Sequence, residues 1–378
     1  MSCTILTHTA LKKRGGAVRV AQLIMGSLKD DNIQLRHTYE HTENDVADED
    51  HVSPKNIPSI LKDVENPILH LHSSGDWISL LQSLPSDLPV IQTIHDAEPL
   101  TGGCAYPLDC PHFDKNCADP CPRNFQNSEA LRKVKVQLLE RADILVTPSR
   151  WMSKLIKKAV PSAKVRVIPN GVPWQNEETR IPERKAQAKE SLGLPVTTKT
   201  VLFIAHGGAS AVYKSGPKWL DYYSKIKEQH PETVGFAVGG DISHRKGDLF
   251  TWPYVDREKL RTLMYAADVL IYPTLADNHP LVILEAMSCG LATVSFAVGG
   301  VPEQIIHNET GYLVPEHDDA GFIDTALKAL SPQNARRLGL NAHHSGRNRF
   351  SVERMASGYK NLYKQICHKH YPHDYSCS

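Results

Sequence analysis

Two acids on either side of a short helix start carry the most readable chemistry in this chain. Residues 274–298 read T-L-A-D-N-H-P-L-V-I-L-E-A-M-S-C-G-L-A-T-V-S-F-A-V. An apolar strand over 269–272 ends at Pro273, and a polar loop then brings Asp277, Asn278 and His279. Pro280 suits the first position of a helix, where its missing N–H costs nothing. Leu281, Val282, Leu284 and Met287 give that helix an apolar face, Gly290 can stop it in a left-handed cap, and another strand follows from Ala292. This strand–helix–strand unit sets an anion-binding helix N-terminus at the carboxyl end of a parallel strand. Asp277 stands before that terminus and Glu285 one turn inside it. Backbone N–H groups there can hold a diphosphate and carboxylates can bind hydroxyls, and a nucleotide sugar offers both. The same residues also fit an ordinary crossover with a capping Asp and a solvated Glu.

Other residues add candidate chemistry. Gly15 and Gly16 sit in the first strand-to-helix turn, R-G-G-A-V-R, where glycines let the backbone approach a ligand and the helix start favours a phosphate. His95 and Asp96 end the strand P-V-I-Q-T-I-H-D, so His95 is expected to face a cleft, with Asp96 orienting its imidazole or standing near an acceptor. Cys104, Cys110, Cys117 and Cys121 crowd into one loop with four prolines, spaced C-x5-C-x6-C-x3-C. In a reducing compartment that knot reads as a structural zinc site, with His112 as a substitute ligand; two disulfides, an iron–sulfur cluster or free thiols remain open. Cys3, Cys289, Cys367 and Cys377 look scattered. Arg150, Lys154, Lys157 and Lys158 on one helix suit either solvent or an anionic lipid surface. Asp48-Glu49-Asp50 lies in an acidic stretch, residues 40–50, and reads as a solvated loop.

Alternating strands and helices must position these groups. Strands are expected at 4–9, 34–37, 68–72, 89–95, 144–147 and 165–168, and again at 200–205, 234–238, 269–272 and 292–296. Such alternation predicts α/β architecture with doubly wound parallel sheets. An internal echo, A-D-I-L-V-T-P-S at 142–149 and A-D-V-L-I-Y-P-T at 267–274, predicts two similar halves. Residues 174–184 look like a linker between them, and 352–369 reads as an amphipathic helix. The 378 residues carry a net charge of only +1, which gives no field for nucleic acid. No stretch reaches the roughly 18 apolar residues of a membrane span, and the N-terminus lacks a signal pattern, so the cytoplasm is the expected compartment.

The frame from Asp277 to Gly290 resembles that of retaining GT-B glycosyltransferases of the family-4 type (group 1 glycosyl transferases), E-x-x-P-x-x-x-x-E-A-M-x-x-G-x-P-V. The second acid, the Pro, E-A-M and the Gly match, while Asp277 replaces the first Glu and Thr293-Val294 closes the frame. G-G-V-P-E at 299–303 and N-G-V at 170–172 are also frequent in that family. The resemblance implies a GT-B fold of two Rossmann-like domains facing a cleft, 1–173 plus a returning C-terminal helix 350–378, and 174–349. It implies transfer of a sugar from a UDP- or GDP-sugar to a glycan, lipid-linked or small-molecule acceptor, in polysaccharide or glycoconjugate biosynthesis. It assigns His95, Asp277 and Lys214 to catalysis. Donor binding falls to Gly15, Gly16, His206, Lys214, Leu281, Val282 and Glu285, and the acceptor side to Asp96. His206 stands where the family has an Arg, and Ser215 is inserted between Lys214 and the following Gly. No catalytic metal is implied. A same-fold epimerase or an inactive sugar-binding subunit are the alternatives, because two donor positions are substituted.

Overall fold

The computed structural model describes residues 3–28, 33–43, 46–174, 181–205, 211–240 and 242–372. The chain forms two compact units. One runs to Gly171 and resumes at Val352; the other is Val172–Ser351.

The first unit holds a parallel six-stranded sheet in the order β2-β1-β3-β4-β5-β6. Its strands are β1 (Cys3–Leu11), β2 (Ile33–His41), β3 (Pro67–Leu71), β4 (Val90–Thr93), β5 (Ile144–Thr147) and β6 (Val165–Val167). Between them run α1 (Gly16–Ser27), α2 (Ile57–Lys62), α3 (Trp77–Ser83), α4 (Ser128–Glu140) and α5 (Arg150–Ala159). Short polar side chains cap α3 and α5: Asp76 accepts from Ser79 N and Ser149 from Met152 N.

The second unit holds the order β13-β12-β11-β7-β8-β10-β9, from β7 (Thr200–Ile204), β8 (Val234–Val238), β9 (His244–Lys246), β10 (Leu249–Trp252), β11 (Val269–Tyr272), β12 (Ala292–Phe296) and β13 (Gly311–Val314). Only β9 runs antiparallel to its neighbour. Its helices are α6 (Ile181–Ser191), α7 (Gly216–Gln229), α8 (Arg257–Ala266), α9 (Leu281–Ser288), α10 (Val301–Gln304), α11 (Asp319–Ala329) and α12 (Pro332–Phe350). Strand β11 shows why the sheet is covered on both sides. Leu270 and Tyr272 enter one apolar cluster, Val269 and Ile271 the other, as period-two alternation requires.

Helix α13 (Val352–His370) belongs to the first unit and packs on α1. Tyr363 hydroxyl meets His70 Nδ1 at 2.7 Å, and Tyr359 hydroxyl meets Thr93 Oγ1 at 3.2 Å. A disulfide joins Cys367 of α13 to Cys3 of β1, with Cα atoms 6.3 Å apart. The sequence gives no sign of that link, because its partners lie 364 residues apart.

Several expectations shift. Strands β9, β10 and β13 are additions. Strand β4 ends at Thr93, so His95 stands in the following turn. Pro280 is the N-cap of α9, one place before the first helical residue. Glu40 is a buried end of β2, bonded to His8 Nε2 at 3.0 Å and to Gly75 N, because β2 continues four residues past the expected strand. Most of the proposed linker, 175–180, and Cys377 lie outside the described residues. No helix among the described residues is long and apolar enough to cross a membrane.

Candidate functional site

In a doubly wound sheet, a crevice opens where the strand order reverses. In the second unit that point lies between β7 and β11, and the chain places one charged residue just beyond each strand. Lys214 ends a single helical turn, Val212–Lys214, after β7; Asp277 follows β11. Backbone bonds tie the two loops together: Leu275 N donates to Tyr213 O at 2.7 Å, and Thr274 Oγ1 to the same oxygen at 3.0 Å. The Lys214 ammonium bonds the Asp277 carboxylate and stands 5.3 Å from the centre of the Tyr272 ring. Tyr272 hydroxyl donates to the same carboxylate at 2.6 Å. Gly299 explains the following G-G: it holds φ +58°, and a Cβ there would lie 2.1 Å from Asp277 O. Gly300 N donates to that oxygen at 2.9 Å, so the G-G turn clamps the acid's backbone.

Helix α9 starts beside this group. Pro280 has no side chain able to cap it, so the first-turn N–H groups of Leu281 and Val282 donate no capping bond to it. Glu285 accepts from Arg257 Nη1 at 3.4 Å. His279 is buried, meets Gln304 Nε2 at 3.1 Å, and is held neutral by burial, its pKa lowered to about 3. His206 lies outside the described residues. Arg245 and Lys246, the basic candidates to substitute for the family's Arg at the place of His206, sit exposed on β9. Three strand spacings separate β9 from β7, about 14 Å.

The reversal point of the first unit lies between β1 and β3. A cavity of about 370 Å³ opens there and over the end of β4, lined by Ala17 of α1, His72, Trp77, Gln92 and His95 among others. His72 Nδ1 and His95 Nε2 are 3.0 Å apart, and the two rings stack at 5.2 Å. Burial lowers His95 to about 4 and holds His72 well below its ordinary value, so the pair is neutral at pH 7. Asp96 accepts from Glu98 N at 2.8 Å. Glu98 in turn bonds the buried Lys135 ammonium and Trp77 Nε1. Gly15 adopts φ +96° at the α1 start, and neither it nor Gly16 has a heavy atom within 4 Å of a built Cβ, so the turn is open.

The cysteine loop is tied down by two arginines and an aspartate. Arg123 donates to the carbonyls of Tyr106 and Pro107, both at 2.6 Å; the buried Arg132 binds Phe113 O and reaches Cys117 Sγ at 3.7 Å. Asp119 accepts from Ser128 N and Glu129 N at the start of α4. Cys104, Cys110, Cys117 and Cys121 are free thiols. Among the described residues no group of three or more His, Cys, Asp or Glu side chains is gathered to hold a metal ion. On the α5 face, Lys157 binds Ala163 O and Lys158 pairs with Asp114.

Sequence reasoning missed Tyr272, Arg257, His72 and Gln92. His70 and His72 did offer a signal: period-two spacing near the carboxyl end of β3, beside the strand that leads to His95.

The sequence model of the group 1 glycosyl transferases matches residues 214–332, and that of glycosyltransferase family 4 matches 7–175. The chain is 26% identical over 301 residues to a D-inositol 3-phosphate glycosyltransferase of Xylanimonas cellulosilytica, covering 74% of this chain and 67% of that one. It is 32% identical over 111 residues to an N-acetyl-alpha-D-glucosaminyl L-malate synthase of Bacillus anthracis, 29% of each chain. Among solved structures, a sucrose-phosphate synthase of Thermosynechococcus elongatus superposes with a TM-score of 0.71 at 19% identity, over 96% of this chain and 99% of that one. HepE of Anabaena, solved with UDP-glucose, gives 0.68 at 15% identity, over 96% and 99%. The fold these likenesses show is GT-B.

Proposed function

Because the chain belongs to the group 1 glycosyltransferases, we propose that it moves a sugar from a uridine- or guanosine-diphosphate sugar onto a hydroxyl of a glycan, lipid-linked or small-molecule acceptor, with retention of anomeric configuration. The meeting of Lys214 and Asp277 at the ends of β7 and β11 carries this reading. In it, Asp277 accepts from hydroxyls of the donor sugar and Lys214 faces the diphosphate, so the donor takes each member of the pair from the other. The N–H groups of Leu281 and Val282 donate to phosphate oxygens. Glu285, steadied by Arg257, binds the ribose. The family resemblance assigns Gly15, Gly16 and His206 further diphosphate contacts, and His95 a place near the reacting carbon.

The bond from the anomeric carbon to the phosphate oxygen breaks as the bond to the acceptor oxygen forms on the same face. The departing phosphate takes the acceptor's proton. Charge gathers on the diphosphate, where Lys214 and the α9 start stabilise it without reorganising. This route needs no side-chain nucleophile. The activity belongs to polysaccharide or glycoconjugate assembly on the cytoplasmic side.

HepE was solved with UDP-glucose, so uridine donors come first in the test. Purified protein is screened by thermal shift against UDP and GDP, then incubated with the matching sugars while nucleotide release is followed and the product anomer read by NMR. A stabilising nucleotide, slow release without acceptor and a retained anomer are expected. Stabilisation by neither diphosphate, or an inverted product, overturns the reading.

A further inference from the structure

We propose that the cavity of the first unit takes an uncharged, hydroxyl-rich acceptor, a sugar or polyol bearing no phosphate, and that His72 and Gln92 recognise it. This rests on the glycosyl-transfer reading for calling the guest an acceptor, but the preference itself comes from the cavity.

Its charge comes first. Asp76, Asp96 and Glu98 line it, against one lining cation, Lys135. That ammonium is fully buried and already spent on the carboxylate and carbonyl of Glu98. The two lining histidines are neutral, since burial disfavours their charged form. A phosphate on the acceptor would therefore meet lining side chains of net negative charge with no available counter-charge among those described, while the positive α1 start beside Ala17 is given by the donor reading to the diphosphate. Desolvating an anion under those conditions is unfavourable.

Its hydrogen bonding comes second. Buried polar atoms almost always have partners. His72 is 5% and Gln92 4% exposed, yet His72 Nε2 and Gln92 Oε1 have none among the described residues. Both residues line the cavity, alongside Ser73, Ser74 and Thr93. Gln92 Oε1 can only accept. His72 Nε2 accepts if His72 donates from Nδ1 to His95, and donates if the tautomers are exchanged. A hydroxyl serves either case, whereas a phosphate oxygen only accepts. Trp77 also lines the cavity, and an aromatic residue there suits the C–H face of a sugar.

The test needs no donor. Full-length protein is titrated by saturation-transfer NMR with matched pairs: glucose against glucose 6-phosphate, and myo-inositol against myo-inositol 1-phosphate. The neutral member of a pair should bind at least about tenfold tighter. Gln92→Leu and His72→Ala should each weaken neutral binding about tenfold, while the thermal shift given by UDP or GDP is unchanged, which also shows that the variants fold. Asp76→Asn and Asp96→Asn should each tighten phosphorylated binding by roughly threefold, the scale of one partly screened charge. Phosphorylated members binding as tightly, neither member binding, or the His72 and Gln92 variants keeping full affinity would overturn the proposal. Failure of UDP and GDP to bind at all would instead strike at the donor reading and leave the sugar preference readable.

Discussion

Lys214 and Asp277 do unequal work although they pair with each other. Removing the ammonium leaves the departing diphosphate without its main counter-charge, a loss of roughly 10²–10³ in turnover. Lys214→Ala should therefore lower both diphosphate affinity and rate. Asp277→Ala should cut turnover by more than about tenfold, a loss of some 1.4 kcal/mol, while diphosphate binding persists. If calorimetry finds equal loss of diphosphate affinity in both variants, Asp277 is a structural clamp for Lys214. The buried histidines make a second forecast. Burial lowers His95 to about 4 and His70 and His279 to about 3. The unfolded chain takes up these protons near pH 6.5 and the folded chain does not. Stability is thus complete above that pH and falls as pH drops toward 4, by about 1.4 kcal/mol per unit for each histidine. Urea midpoints compared at pH 7.5 and 5.5 check this; a flat profile would mean the rings reach water.

The loops around the sheet ends show what can be read from local sequence. Strands β11 and β12 with α9 between them are legible because their apolar runs are long and flanked by Pro and Gly. Strand β9, His-Arg-Lys, is polar and exposed at all three residues, and owes its existence to pairing with β10, so no period betrays it. The Asp277 frame was legible as a helix start, but its contact with Lys214 depends on a strand crossover that sequence spacing does not encode. The arginine anchors of the cysteine loop were invisible for a similar reason, since their targets are carbonyls. Gly299→Ala places a Cβ against Asp277 O in a left-handed backbone and should cost about 2 kcal/mol or more and depress turnover with it. Gly16→Ala meets open space and should leave the melting temperature unchanged; any loss of UDP or GDP affinity there measures how closely a phosphate approaches the turn. Zinc at the cysteine loop remains our proposal to test. With free thiols, Cys121 should react first. Burial pushes its pKa up but is outweighed by the N–H groups of Arg123 and Phe125 at its sulfur. Cys104, raised by burial, should lag. Protection of all four thiols with one zinc per chain by elemental analysis would show that the loop closes around metal.

Across the whole molecule, the echo at 142–149 and 267–274 marks equivalent places: β5 and β11 each follow a helix and end at a Pro turn. What the echo could not foretell is that the first unit is built from both ends of the described chain. Losing the Cys3–Cys367 link through Cys3→Ser should cost about 2–4 kcal/mol. Denaturation followed at Trp77 and Trp151, with Trp174, Trp219 and Trp252 replaced by Phe, should show that loss; the reverse replacement should not. Peptide mapping without reductant should recover the two cysteines together, and separate peptides would show the pair reduced as isolated.

A ribosome makes these pieces in order. Residues 172–351 emerge, and can close their own sheet, before α13 exists. The first six strands must meanwhile wait with the α1 surface that α13 will cover, and with His70 and Thr93 still lacking their tyrosines. The earlier-made unit is thus the later to be finished, and a chaperone holding the nascent chain would find its exposed apolar surface there.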